Sequence, residues 1–202
     1  MDTMGLATCW FMRTIEQEAE EVARGLRRRD PSLIDSLIQQ YHYRLFRYLL
    51  MLTGSREEAE DLFQETWMRV LEKGHQYKQR WKFETWLFTI ARHLAIDFLR
   101  RRQPRSLDAL REPTGTARPL ELEDTTSSSA FDKAFQGEEA ASVAAALAHL
   151  PPSYREVLTL RFHEDMQLEE IARVVDSPLS TVKSRLYRGL EALRNLLEVR
   201  EA

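Results

Sequence analysis

Residues 168–197 read LEEIARVVDSPLSTVKSRLYRGLEALRNLL, a helix, a tight turn and a second helix. In the first segment Leu168, Ile171, Ala172 and Val175 fall on one stripe of a 3.6-residue period, with Glu169, Glu170 and Arg173 facing away. Asp176-Ser177-Pro178 interrupts the pattern: Ser is a good N-cap, Pro fits the first helical position, and the residue before Pro is biased out of the α region. In the segment that follows, Val182, Leu186, Leu190, Leu193 and Leu197 stack on one side, and Thr181, Ser184, Arg185 and Arg188 gather on the other. A helix with that outer face fits a DNA major groove, where Arg pairs with guanine and short hydroxyls reach phosphates or base edges. A small Ala at the helix crossing and the clustering of cations near the start of the second helix favour a reader over a merely solvated face.

The bulk numbers exclude several classes. The 202 residues allow one domain or two small ones, each large enough for its own core. A net charge of -3 means that any basic patch is local. The single Cys9 has no disulfide or zinc-knuckle partner, and the five His residues lack ligand spacing, so no metal and no cofactor are expected. No apolar run reaches the ~20 residues that span a bilayer, and the opening residues MDTMGLATCWFMRTIEQ lack the pattern of a secretory signal, so a cytoplasmic protein is expected.

Upstream the chain is helical in period almost throughout. Residues 1–13 read as a lead-in and 14–29 as a helix; Asp30-Pro31 starts the next, with Leu33, Leu37, Tyr41, Leu45, Tyr48 and Leu52 on its buried side. Thr53-Gly54-Ser55 ends it and caps a third helix, whose first turn carries Glu57, Glu58, Glu60 and Asp61. Leu62, Phe63, Thr66, Trp67, Val70 and Leu71 cover more than one stripe of that helix. Either a partner protein or a second helix of its own domain is expected on the extra face.

Residues 83–102 form a long helix in which Phe83, Trp86, Leu87, Ile90, Ala91, Leu94 and Phe98 make the buried stripe; Thr85, Phe88, Thr89, Arg92 and Ile96 are expected outside it, with His93 and Arg100 at the flank. Between Lys78 and Arg105 eight Lys/Arg stand against Glu84 and Asp97, a local positive footprint. Cations with interleaved aromatics serve opened nucleic acid, holding phosphate and offering π-faces to unstacked bases; Trp81 and Phe88 are the aromatics expected to be exposed. Residues 104–137 are rich in Pro, Gly, Ser and Thr and carry a net negative charge, the composition of a flexible acidic linker. After it, Pro151-Pro152 and a Ser153 cap open a helix with Tyr154, Val157, Leu158 and Phe162 inside, leading into residues 168–197. The expected fold class is therefore all-α: two small helical domains, 14–103 and 138–202, with a helix-turn-helix in the second.

Four stretches in this order, YHYRLFRYLLMLT (41–53), EEAEDLFQETWMRV (57–70), WLFTIARHLAIDFLRRR (86–102) and LPPSYREVLTLRF with EEIA and STVKSRLYRGL (150–190), resemble the extracytoplasmic-function group of bacterial sigma factors. The resemblance implies a non-enzymatic initiation factor that binds core RNA polymerase and directs transcription from promoters. It implies that Asp61, Leu62, Gln64, Glu65, Trp67 and Met68 grip the β′ coiled coil, with further contacts to the β subunit. Lys78, Arg80, Trp81, Lys82, Phe88, Thr89, Arg92, His93 and Arg100 match the part that opens the -10 element and captures its single strand. Ser180, Thr181, Lys183, Ser184, Arg185 and Arg188 match the reader of the -35 duplex. An anti-sigma factor is a further partner that the resemblance allows. The sequence departs from the family's pattern at His93, often Asn, which bears on the -10 base preferred, and at Asp176, usually Gly; Asp tolerates the left-handed region the turn requires. The competing reading is a dimeric helix-turn-helix regulator that never enters polymerase. An enzyme is disfavoured because no phosphate-binding Gly loop, metal constellation or activated nucleophile stands in the sequence.

Overall fold

The computed structural model describes residues 18–102 and 138–201, so the lead-in over 1–13 and the linker over 104–137 lie outside the described residues. Those described are helical, with no strand among them. The first group is α1 (18–28), α2 (Pro31–Thr53), α3 (Arg56–Lys73), a 3-10 turn (Gly74–Gln76) and α4 (Phe83–Arg102). The second is α5 (Glu138–His149), α6 (Pro152–Leu158) with a π turn after it (Thr159–His163), α7 (Leu168–Val174) and α8 (Leu179–Glu201). No described helix is long and apolar enough to cross a membrane.

Local chemistry sets the boundaries. Asp30 caps α2, its Oδ1 accepting from Ser32 N at 3.0 Å, with Pro31 in the first turn. Gly54 closes α2 at φ 71°, a left-handed conformation that costs a residue with a Cβ about 1–2 kcal/mol. Ser55 caps α3 through Glu58 N. Two expected caps move: α6 starts at Pro152 with Pro151 before it and the Ser153 hydroxyl buried, and Pro178, whose carbonyl accepts from Val182 N at 3.1 Å, stands immediately before α8. Ser177 instead donates to Val175 O at 3.2 Å. Asp176 takes φ 47°, the left-handed conformation expected of the turn.

α3 packs against both α2 and α4. That arrangement accounts for its broad apolar surface: Leu62 and Trp67 are buried between its neighbours, 6% and 5% exposed, which corrects the expectation that they contact a partner. A ring cluster of Tyr41, Tyr77, Phe83 and Trp86, with centroids 5.4–5.9 Å apart, anchors the loop before α4, and Tyr77 Oη donates to Trp81 O at 3.0 Å. Phe88 is a second correction. It is fully buried, its ring 5.1 Å from that of Tyr48, so it offers no face to a base. A third concerns Phe162, which is 62% exposed. The π turn widens the helix there, with Glu164 N donating to Thr159 O, and shifts every later residue off the 3.6-residue stripe.

The buried apolar residues of the two groups form one continuous cluster, from Ala23 through α2–α4 to Val157, Met166, Ile171 and Val182. The two halves are thus packed together, where separate cores were expected. Phe88→Ala should cost about 3–5 kcal/mol in urea unfolding followed by circular dichroism; a stability equal to wild type would restore Phe88 as a surface residue.

Candidate nucleic-acid interface

On α4, Thr85, Thr89 and Arg92 lie at i, i+4 and i+7 and share one face, which packs against α7 and the turn before α8. Arg92 Nε donates to Glu156 Oε1 of α6 at 2.7 Å, and Tyr48 Oη of α2 donates to the same oxygen at 2.8 Å. Burial opposes the Arg92 charge, but Glu156 outweighs it and holds the guanidinium above its ordinary range. Thr89 turns its hydroxyl back to Thr85 O at 2.7 Å. Thr89 and His93 line one wall of a cleft of about 460 Å³ whose other wall is Ala172, Arg173, Asp176, Ser177 and Pro178.

Two cations that composition did not single out, Arg44 and Arg47 of α2, flank this face. The Glu164 carboxylate accepts from Arg44 Nε and from Arg47, both at 2.7 Å, and Arg44 also donates to Glu84 at 3.1 Å and to the Glu164 carbonyl at 3.2 Å. Burial again works against the Arg44 charge, and Glu164 and Glu84 more than offset it. The sequence carries a partial signal for this pair: both positions border the buried Tyr41, Leu45 and Tyr48 stripe. The acids they meet gave none, because a Glu inside a helix reads as solvated until a partner is seen. Glu170, expected to face away, is 6% exposed; it accepts from Thr85 Oγ1 at 3.3 Å, lies 3.4 Å from Lys82 Nζ and completes a capping box with Gln167. Trp81 is partly covered, with the Arg173 guanidinium 5.9 Å from its ring centre.

The structure therefore gathers Trp81, Lys82, Thr89, Arg92 and His93 at one junction and leaves Lys78 and Arg80 exposed on the loop beside it. Arg100 does not join them. It lies at the far end of α4, 3.8 Å from Asp97, beside a groove lined by Asp61, Glu65 and Arg69 of α3. Asp61, Gln64, Glu65 and Met68 are exposed on the outer side of α3. On α8, Ser180, Lys183, Ser184 and Arg188 face outward. Thr181 and Arg185 are half-buried; burial lowers the Arg185 pKa, and its guanidinium donates to Ser177 Oγ at 3.4 Å. α8 comes close to α6 at Gly189, where a Cβ would sit 3.3 Å from atoms of Tyr154 and Leu158.

Residues 37–105 match the Sigma-70 region 2 family, and residues 140–193 match the Sigma-70 region 4 family. The chain is 35% identical over 163 residues to the ECF RNA polymerase sigma factor SigE of Mycolicibacterium smegmatis, covering 81% of this chain and 61% of that one. It is 32% identical over 166 residues to the ECF RNA polymerase sigma factor SigX of Bacillus subtilis, 81% of this chain and 82% of that one. The fold is similar to that of CnrH, solved in complex with the cytosolic domain of CnrY, with a TM-score of 0.60 at 20% identity over 92% of this chain and 97% of the other.

Tyr48→Phe removes a donor from a buried carboxylate and should cost about 1.5–3 kcal/mol in urea unfolding at pH 8. Burial and Glu156 push the Tyr48 phenol well above 10, so the stability tied to it is fully present below pH 10 and is lost as pH rises toward the folded-state value. Unfolding midpoints measured from pH 8 upward should fall less steeply in Tyr48→Phe than in wild type; parallel curves would contradict this.

Proposed function

This chain belongs to the extracytoplasmic-function group of the sigma-70 family, and we infer from that premise that it is an initiation factor joining core RNA polymerase to promoter DNA. The observation that carries the reading is the order of the two family matches, region 2 on α2–α4 and region 4 on α5–α8. It acts in the cytoplasm with polymerase, which performs the chemistry, and is not itself an enzyme. α8 docks the -35 duplex with Ser180, Lys183, Ser184 and Arg188, whose exposure supports the role, and with Thr181 and Arg185 once the latter turns from Ser177. Lys78, Arg80, Trp81, Lys82, Thr89, Arg92 and His93 take the -10 strand, where capturing an unstacked base costs about a few kcal/mol that stacking and phosphate contacts must offset. The outer face of α3 supplies the polymerase contact through Asp61, Gln64, Glu65 and Met68.

Purified core polymerase given this chain should yield promoter-specific run-off RNA that core alone does not make. RNA absent with the chain present, alongside specific duplex binding by the chain alone, would favour the dimeric regulator instead. Asp61 and Gln64 replaced together by Ala should abolish co-purification with core polymerase without changing helix content, and undiminished co-purification would remove α3 as the contact. Arg188→Ala should lose about 1–3 kcal/mol of discrimination between cognate and scrambled -35 duplexes; an equal loss on both would make it a phosphate contact.

A further inference from the structure

The two promoter elements are, by their labels, about 25 base pairs apart, roughly 80 Å of duplex at about 3.4 Å per pair. In this structure the surfaces assigned to them touch. Arg173 of α7 lies on Trp81, and the turn that leads into α8 closes the cleft that holds Thr89 and His93. One chain cannot keep this contact and span both elements.

The groups that make the contact have a common chemistry. Each carboxylate comes from the C-terminal half, is nearly or wholly buried, and meets cations of the N-terminal half: Glu156 with Arg92, Glu164 with Arg44 and Arg47, Glu170 with Lys82. Carboxylate oxygens in charge-assisted bonds to guanidinium at 2.7 Å offer the same acceptor geometry as phosphate oxygens. Because desolvating both members of a buried pair offsets most of their attraction, such a contact gives a precise register with little net stability. A competing partner can open it.

Resting on the sigma-factor reading, we propose that Glu156, Glu164 and Glu170 act as an internal substitute for DNA phosphates, holding Arg44, Arg47, Arg92 and Lys82 so that the free chain is closed to single-stranded DNA. The proposal adds Arg44 and Arg47 to the DNA-facing cations and assigns core polymerase the task of parting the halves. A chain that is about 90% closed binds single-stranded DNA about tenfold more weakly than its open form.

The test uses the full-length chain. Lys82 Nζ and Glu170 Oε1 are 3.4 Å apart, within reach of a zero-length carbodiimide coupling. The Lys82–Glu170 isopeptide, mapped by peptide mass spectrometry, should form in the free chain and fall at least about fivefold once the chain is assembled with core polymerase. No such link in the free chain, or an equal yield in both states, overturns the proposal. In a second arm, the Glu156→Gln/Glu164→Gln chain should bind a 20-nucleotide mixed-sequence single strand about tenfold more tightly than wild type; unchanged affinity with native helix content overturns it, and if the variant misfolds the cross-link on the unaltered chain decides. Run-off transcription separates the two claims. A link lost on assembly without promoter-specific RNA would sink the initiation-factor reading alone, whereas promoter-specific RNA without a link would sink the latch alone.

Discussion

Taking three carboxylates out of water constrains this structure more than any other feature. Glu156, Glu164 and Glu170 are 1%, 2% and 6% exposed, and an ion removed from water loses several kcal/mol of solvation even after its surroundings relax. Each must therefore be met by cations or donors in good geometry. Those partners lie on α2, on α4 and in the loop before it, so satisfying all three acids at once fixes how the second group of helices sits on the first. A slide of a few ångströms would leave a charge buried without its partner. The apolar cluster that runs through both halves supplies burial but little direction, because dispersion and the hydrophobic effect are not directional.

The π turn at Thr159–His163 places one of these acids. A regular α-helix continuing from α6 would carry Phe162 inward with Tyr154, Val157 and Leu158. The wider turn rotates Phe162 to the surface and brings Glu164 beneath Arg44 and Arg47, while Arg161 donates to Met166 O at 3.1 Å as the chain leaves the turn. Such turns are rare and are found frequently at functional sites. Here the widened turn exchanges an aromatic for a carboxylate at the boundary between the halves.

The faces of the molecule divide accordingly. The outer side of α3, with Asp61, Gln64, Glu65 and Met68, and the outer side of α8, with Lys183, Ser184 and Arg188, are both at the surface. The surface between them, where Trp81, Thr89, Arg92 and His93 gather, is the one the chain covers with its own residues. In a sigma factor this leaves the polymerase-facing and -35-facing sides presented while the strand-capturing side is held inward.

The helices, their caps and the helix-turn-helix were legible in the sequence because they depend on neighbours a few residues away: Asp30 with Pro31, Gly54 at φ 71°, Asp176 at φ 47°. The four family stretches were legible for the same reason, and with them the functional class. What lay beyond local reading was which side of each helix is covered. Phe88, Leu62 and Trp67 were expected at the surface and lie in the core; Phe162 was expected inside and is exposed; Glu170 faces a partner instead of water. A helix shows its periodicity in its own residues, but burial and charge pairing are properties of two surfaces, and Arg44 and Glu164, 120 residues apart, acquire their meaning only when the tertiary fold brings them within 2.7 Å.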